Sequence, residues 1–137
     1  EFKPQKIDIA RNSNMLRDEM VLEKRIAKIP RIELDENKLF HPVLYSDVDM
    51  NKHVNNTRYI AWILDEYGYE FHQKNQITSC NIHFISQAYY KTQYAIQRQQ
   101  SDAMTFISSI FTSKEAQEIC RVQMKWKHIN ALDYDTK

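Results

Sequence analysis

The 137-residue sequence contains a single glycine, Gly68. Phosphate-cradling loops need several glycines so that the backbone can close on the anion, so P-loop and Rossmann-type nucleotide sites are excluded. Cysteine is also scarce. Cys80 and Cys120 make no close-spaced motif and read as reduced, buried thiols that pack as small hydrophobes, an expectation that goes with a cytoplasmic setting. Charge of one sign is not in excess. The net charge of +1 supplies no global field for a nucleic acid or an anionic membrane. No apolar run approaches the roughly 20 residues of a membrane-crossing helix, and the mixed, charged opening at Glu1–Ala10 is unlike a secretory leader. The five histidines, His41, His53, His72, His83 and His128, show no paired spacing of the kind zinc sites use. Neither a metal nor a cofactor is called for.

What is present fits one domain: the length allows a real core but not two ordinary ones. Residues 1–32 read as a helical arm or linker ahead of the domain, residues 33–130 as the domain and residues 131–137 as a tail. The Glu-Phe opening, without an initiator methionine, suggests a segment of a longer chain. In the arm, Asn12, Ser13 and Asn14 can cap a helix that starts near Met15. Met15, Leu22, Ile26 and Ile29 fall on one face, and Pro30 stops it. Lys24, Arg25, Lys28 and Arg31 give its end a basic edge, which suits a solvated helix face or the docking of an acidic partner.

Further on, Val43 and Tyr45 predict a short strand. Thr57–Tyr67 reads as a helix with Tyr59, Ile60, Ile63 and Tyr67 on one side, Asn55 or Asn56 as its cap and Gly68 as its C-terminal cap. Cys80, Ile82 and Phe84 alternate, Tyr94 and Ile96 open another strand, and Met104–Phe111 is apolar on both alternating sets, as in a strand covered on both faces. A turn is expected at Ser113–Glu115. Cys120, Val122, Met124 and Trp126 then alternate with Arg121, Gln123, Lys125 and Lys127, the pattern of a strand with one buried and one wet face. Strand, helix and about four further strands predict an α+β fold, a long antiparallel sheet wrapped round one helix.

The chemistry concentrates in Tyr45-Ser-Asp-Val-Asp-Met-Asn-Lys-His-Val-Asn-Asn-Thr-Arg-Tyr59. This stretch sets Asp47, Asp49, Asn51, His53, Asn55 and Asn56 before a helix start, where free N–H groups and partial positive charge can stabilise a developing oxyanion. Asp49 and His53 are candidate acid–base groups and Asn51 a neutral donor and acceptor. The same residue types also suit ordinary capping of the helix, and a histidine in such a loop is often satisfied by a backbone group.

The run from Asp47 to Tyr59, continued by Ile60-Ala-Trp62-Ile-Leu-Asp65, resembles the signature of acyl-ACP thioesterases. The shared pattern is Asp-x-Asn-x-His-Val-Asn-Asn followed by Tyr-Ile-x-Trp. The resemblance extends over roughly residues 20–130 and takes in the Lys28-Ile-Pro30 approach and the Met124-Lys-Trp126 strand. Those enzymes contain two fused hot-dog folds, and this chain is similar to the second, with the linker before it. The resemblance therefore implies a hot-dog fold and hydrolysis of fatty acyl-ACP thioesters, with acyl carrier protein as partner and no cofactor. It places Asp49, Asn51 and His53 on three catalytic positions. Asn51 and the helix N-terminus would hold the thioester or the attacking water, His53 would orient or shuttle a proton, and Asp49 would fix the arrangement. Asn55, Asn56, Tyr59 and Trp62 are expected on the substrate side. Lys24, Arg25, Lys28 and Arg31 are expected to meet the acidic carrier.

One position departs from the family pattern. The family's further catalytic Glu falls on Gln87, and the Cys that often follows it in plant enzymes falls on Ala88. Gln can hydrogen-bond a water but cannot take its proton. This leaves a weakened thioesterase, one that uses Asp49 as its base instead, a non-catalytic acyl-binding hot-dog module, or a hot-dog acyl-CoA thioesterase. The shorter Asp-x-x-x-His-Val-Asn-Asn core is shared with the last group. A lone hot-dog unit would leave a sheet edge and an apolar face open, so a homodimer, or a first hot-dog half, is expected to complete it.

Overall fold

The computed structural model describes residues 29–130. The predicted helix from Met15, the cations Lys24, Arg25 and Lys28, and the tail at 131–137 lie outside the described residues. Strand β1 (His41–Pro42) is followed by a 3-10 turn (Tyr45–Asp47), helix α1 (Asn56–Asp65), helix α2 (Tyr69–Lys74) and strands β2 (Asn75–Phe84), β3 (Gln93–Asp102), β4 (Thr105–Thr112) and β5 (Glu118–His128). The five strands form one antiparallel sheet in the order β1-β3-β4-β5-β2.

Alternation decides what each strand buries. In β5, Cys120, Val122, Met124 and Trp126 are buried, whereas Lys125 and Lys127 are exposed, as the sequence pattern predicts. Their buried face joins Ile82 and Phe84 of β2, Ile96 of β3 and Ile110 of β4 in one core, and α1 delivers Tyr59, Trp62 and Ile63 into it. Trp62 stacks on Tyr94 with ring centroids 3.9 Å apart and planes 7° from parallel. This is the expected hot-dog arrangement, a long sheet curled round one central helix. The opposite face of the sheet is partly covered too. Ile29 and Ile32 pack on Ile107, and Asp35 N donates to Gln97 Oε1 at 3.0 Å, so residues 29–35 cross the outside of the sheet. This accounts for the two-sided apolar pattern of β4.

Three local expectations are corrected. The short strand lies at His41–Pro42 rather than Val43–Tyr45. The Asp47 carboxylate accepts from Leu44 N at 2.8 Å, and Asp47 N donates to Leu44 O at 2.9 Å. Together these bonds bend Tyr45–Asp47 into a 3-10 turn. Helix α1 ends at Asp65 with Glu66 as its cap. Gly68 is therefore not a C-terminal cap; it opens α2 at φ −68°, ordinary extended backbone. Helix α2 was not expected as an element of its own.

Candidate active site

The stretch 47–55 folds back on itself before α1. Asp49 N donates to His53 O at 2.9 Å and Asn55 N to Asp47 O at 3.1 Å, which pairs Val48 with Val54 in antiparallel fashion. The tip is closed by Asp49. Its Oδ1 accepts from Asn51 N at 2.9 Å and His53 N at 3.1 Å, while Lys52 takes the left-handed conformation at φ 65°. The carboxylate thus acts first as the clasp of the loop, as aspartates do where the chain reverses.

A second ladder joins this loop to the segment after β2. Val54 N donates to Ala88 O and Tyr90 N to Lys52 O, both at 3.0 Å. His53 and Tyr89 face each other between these bonds, the closely spaced type of antiparallel pair. Their rings meet edge to face with centroids 4.9 Å apart. Three short pieces, 47–49, 53–55 and 88–90, therefore form a small ladder with His53 in the middle piece.

Alternation across this ladder sorts the side chains. Val48, Val54 and Ala88 belong to the core, so Asp49, His53 and Tyr89 lie on the opposite face. Gln87 stands two positions before Tyr89, so alternation along this segment sets it on the side of Tyr89 and His53. Gln87 is held from both sides. Ser86 N donates to Ile119 O at 3.0 Å and Ser86 Oγ to Glu118 O at 2.9 Å. Beyond it, Ala88 N donates to Tyr59 Oη at 3.0 Å. Asn51 sits exposed at the loop tip. Asp49, Asn51 and His53 thus share the loop ahead of α1, and Gln87 lies two residues before Tyr89, the bridge partner of His53.

The other predicted residues have different places. Asn55 is the cap of α1, its Oδ1 accepting from Thr57 N at 3.1 Å and Thr57 Oγ1 at 3.0 Å, which spends one of the helix-start N–H groups on the cap. Asn56 is the first residue of α1. Tyr59 and Trp62, expected on the substrate side, are both packed in the core. Tyr59 is fully buried, and burial pushes its hydroxyl up to about 12. Arg31, the described member of the basic edge, borders a cleft with His83 and Arg121 on the outside of the sheet. Cys120 is fully buried and Cys80 partly so, and burial raises both thiols, Cys80 to about 11. Neither has the depressed acidity of a nucleophile. Among the described residues no three His, Cys, Asp or Glu stand together as a metal site.

The sequence did not point to Asp47 as an organiser. It is buried, accepts from Arg58 Nε at 2.9 Å and from Leu44 N, and so ties the first turn of α1 to the chain before the loop. An acid followed eleven positions later by Arg58 on a helix is the signal that was available.

The fold and this site define a hot-dog thioesterase-type domain. The chain matches the family described as acyl-ACP thioesterase C-terminal domain over residues 30–128 and belongs to that family. Among solved structures it is similar to an acyl-ACP thioesterase from Bacteroides thetaiotaomicron. That match has 24% identity and a TM-score of 0.64 and covers 73% of this chain and 42% of that one. It is also similar to the 12:0-ACP thioesterase from Umbellularia californica, at 16% identity and a TM-score of 0.65, covering 88% of this chain and 50% of that one. YbaW, a probable thioesterase from Escherichia coli, matches at 20% identity and a TM-score of 0.54 over 69% of this chain and 83% of its own. The chain spans half or less of the first two. No curated protein sequence matches it.

Proposed function

We propose that this chain hydrolyses fatty acyl thioesters carried on acyl carrier protein, releasing free fatty acid and the carrier thiol. The observation that carries the reading is the small ladder, in which His53 pairs with Tyr89 while Val48, Val54 and Ala88 go to the core, an alternation that favours Asp49, His53 and Gln87 sharing one face. Family membership supports a carrier-bound acyl thioester as the substrate class. Water adds to the thioester carbonyl, the oxyanion collapses, and the carrier sulfur leaves and takes up a proton. His53, steadied by the Tyr89 ring, orients the water and moves that proton. Asn51 offers an amide to the carbonyl or the water. Asp49 keeps the tip in shape through the Asn51 and His53 N–H groups. Gln87 positions water without accepting its proton, which predicts slow turnover.

The test is release of free thiol from palmitoyl- and lauroyl-carrier protein by the chain and by His53→Ala and Gln87→Glu variants. Loss of rate on the first change and a gain of about 10²-fold or more on the second, the scale of a restored general base, is expected. No turnover in any folded variant overturns the hydrolase reading. It would favour an acyl-binding module, the second reading, which rests on the glutamine at position 87. Equal or better rates on acyl-CoA would move the substrate from carrier protein to coenzyme A. The working unit is proposed to contain two hot-dog domains, in the simplest case two copies of this chain.

A further inference from the structure

The ladder that joins the loop to the segment after β2 is diverted at Ala88, and Tyr59 diverts it. Antiparallel residues at a hydrogen-bonded position exchange both of their N–H···O bonds. Val54 and Ala88 make one of the two, Ala88 O accepting from Val54 N at 3.0 Å. The Ala88 N–H goes elsewhere and donates to Tyr59 Oη at 3.0 Å. Ala88 and Tyr59 are both fully buried, so without the hydroxyl this N–H would be left unsatisfied away from water. Tyr59 is the fourth residue of α1, about one turn from the helix start. Its ring meets Trp62 edge to face at 5.5 Å and lies tilted on Phe84, the last residue of β2, at 6.2 Å. These contacts give the hydroxyl a fixed place. Burial keeps the phenol neutral far into the alkaline range, so it accepts the bond as an uncharged group at working pH.

Gln87, half-buried, stands between this bond and a second anchor. Before it, Ser86 is fastened to Ile119 O and Glu118 O at the start of β5. After it, Ala88 is fastened to the loop through Val54 N and to the helix through Tyr59 Oη. We propose that Tyr59 is a positioning residue of the thioester site: its hydroxyl locks Ala88 to the first turn of α1 and so sets where the position-87 side chain and Tyr89 stand relative to His53. The hydroxyl meets no substrate and acts through the backbone. It joins two parts of the site, the helix start, where N–H groups can stabilise an oxyanion, and the segment that carries Gln87. The inference rests on the thioesterase reading above and adds to it the group that keeps its two parts in register. It gives Tyr59 a role other than the substrate contact expected from the sequence.

The experiment compares the full chain with Tyr59→Phe, which removes the hydroxyl and leaves the ring in the core. Ile63→Val, equally buried on the same helix, trims one methyl and is the control for a merely structural loss. Amide hydrogen exchange is followed by NMR, and thiol release from lauroyl-carrier protein is measured for each form with and without Gln87→Glu. In Tyr59→Phe the Val54, Ala88 and Tyr90 amides should exchange about tenfold faster, beyond any change at Ile110 and Val122 in the sheet. Turnover should fall about tenfold in kcat, with KM held within about twofold. The gain from Gln87→Glu, about 10²-fold in the otherwise unchanged chain, should shrink to about tenfold or less beside Tyr59→Phe, because residues that act as a unit are not additive. Beside Ile63→Val the gain should be kept in full. A full gain beside Tyr59→Phe, or exchange at Val54 and Tyr90 that rises no more than at Ile110 and Val122, overturns the inference. In a chain that hydrolyses nothing in any form, exchange decides alone: local loosening upholds the lock and overturns only hydrolysis, whereas uniform loosening overturns both.

Discussion

At Asp49 the structure separates two roles that the sequence leaves together. Its Oδ1 receives the Asn51 and His53 N–H groups, a task an amide oxygen performs as well as a carboxylate oxygen. If holding the loop is its work, Asp49→Asn keeps most of the activity, whereas Asp49→Ala frees both N–H groups and removes a cap worth about 1 kcal/mol. Parallel assays and urea unfolding of the two variants check this. An Asn variant as slow as His53→Ala would make Asp49 a base or a charge partner instead. The candidate residues themselves were legible, because Asp, Asn and His in this density before a helix start are chemically conspicuous. Asn55 as cap was legible for the same reason. What could not be read was the pairing of Val54 with Ala88 and of His53 with Tyr89, which puts Gln87 on the face of His53. That pairing depends on tertiary register, to which local spacing is blind. The burial of Tyr59 and Trp62 fits a helix wrapped by the sheet, but an aromatic that faces its own sheet looks in sequence like one that faces a ligand, so their expected place on the substrate side could not be separated from a core role.

Among the elements, β5 and α1 were the most readable, one through strict alternation and the other through a cap and an apolar face. Helix α2 was missed because six residues give too few turns to show a period, and because Gly68 was taken as the end of α1. Its φ of −68° and the open space around a Cβ built there show that no left-handed backbone is needed. The N-cap of α2 has no side-chain bond, so Gly68→Ser should supply one and raise stability by roughly a few tenths of a kcal/mol, read from the denaturation midpoint. A loss of 1 kcal/mol or more would restore the left-handed reading. A bulge near the start of β5 was also hidden from the pattern. Phe111 pairs with Glu118 and Ile110 with Cys120, so Ile119 is an extra residue. The shift turns Glu118 to the outer face, where it accepts from Arg121 Nε at 2.9 Å, Arg121 Nη2 at 2.7 Å and Ser109 Oγ at 2.8 Å. Arg121 Nη1 in turn donates to Ile29 O at 2.8 Å, which fastens the chain ahead of β1 to the sheet.

Over the whole molecule these groups set the pH range of stability. Burial alone would raise the Glu118 carboxyl, but the Arg121 and Ser109 bonds outweigh it and hold the group below its ordinary value. His83 is lowered by burial and then by Arg121. Both contribute stability that is present above their unfolded values and lost as pH falls, so loosening begins near about pH 6.5 for His83 and below about 4.3 for Glu118. Burial raises Tyr59 and Tyr94 to about 12 and Cys80 to about 11. Their contribution is complete below the unfolded values of about 8.5 for the thiol and 10 for the phenols, and is lost as pH rises towards the folded ones. A denaturation series should therefore give a plateau near neutrality with an alkaline fall between about pH 9 and 12. A Tyr59→Phe variant should soften that fall; an alkaline limb with the same slope in the variant would remove Tyr59 from the account.

The sheet order also bears on assembly. β2 stands at one end of the sheet and is ten residues long, and among the described residues it is bonded to β5 on one side only. Long edges are normally blunted by charge, proline or shortness. β2 (Asn-Gln-Ile-Thr-Ser-Cys-Asn-Ile-His-Phe) carries no proline, lysine, arginine, aspartate or glutamate, and Ile77 on it is exposed. The opposite end of the sheet is different: among the described residues, two-residue β1 covers only the start of the outer edge of β3, and the rest of that edge carries Arg98 and Asp102. An edge without charge is the one suited to antiparallel pairing with the same edge of a second hot-dog unit, which would continue the sheet. Light scattering at micromolar concentration should give twice the chain mass, and an Ile77→Lys change, which puts a charge on each copy at the seam, should shift it towards a single chain. A wild-type mass of one chain would mean that the edge is not self-complementary, and that a different hot-dog unit, or none, completes this one.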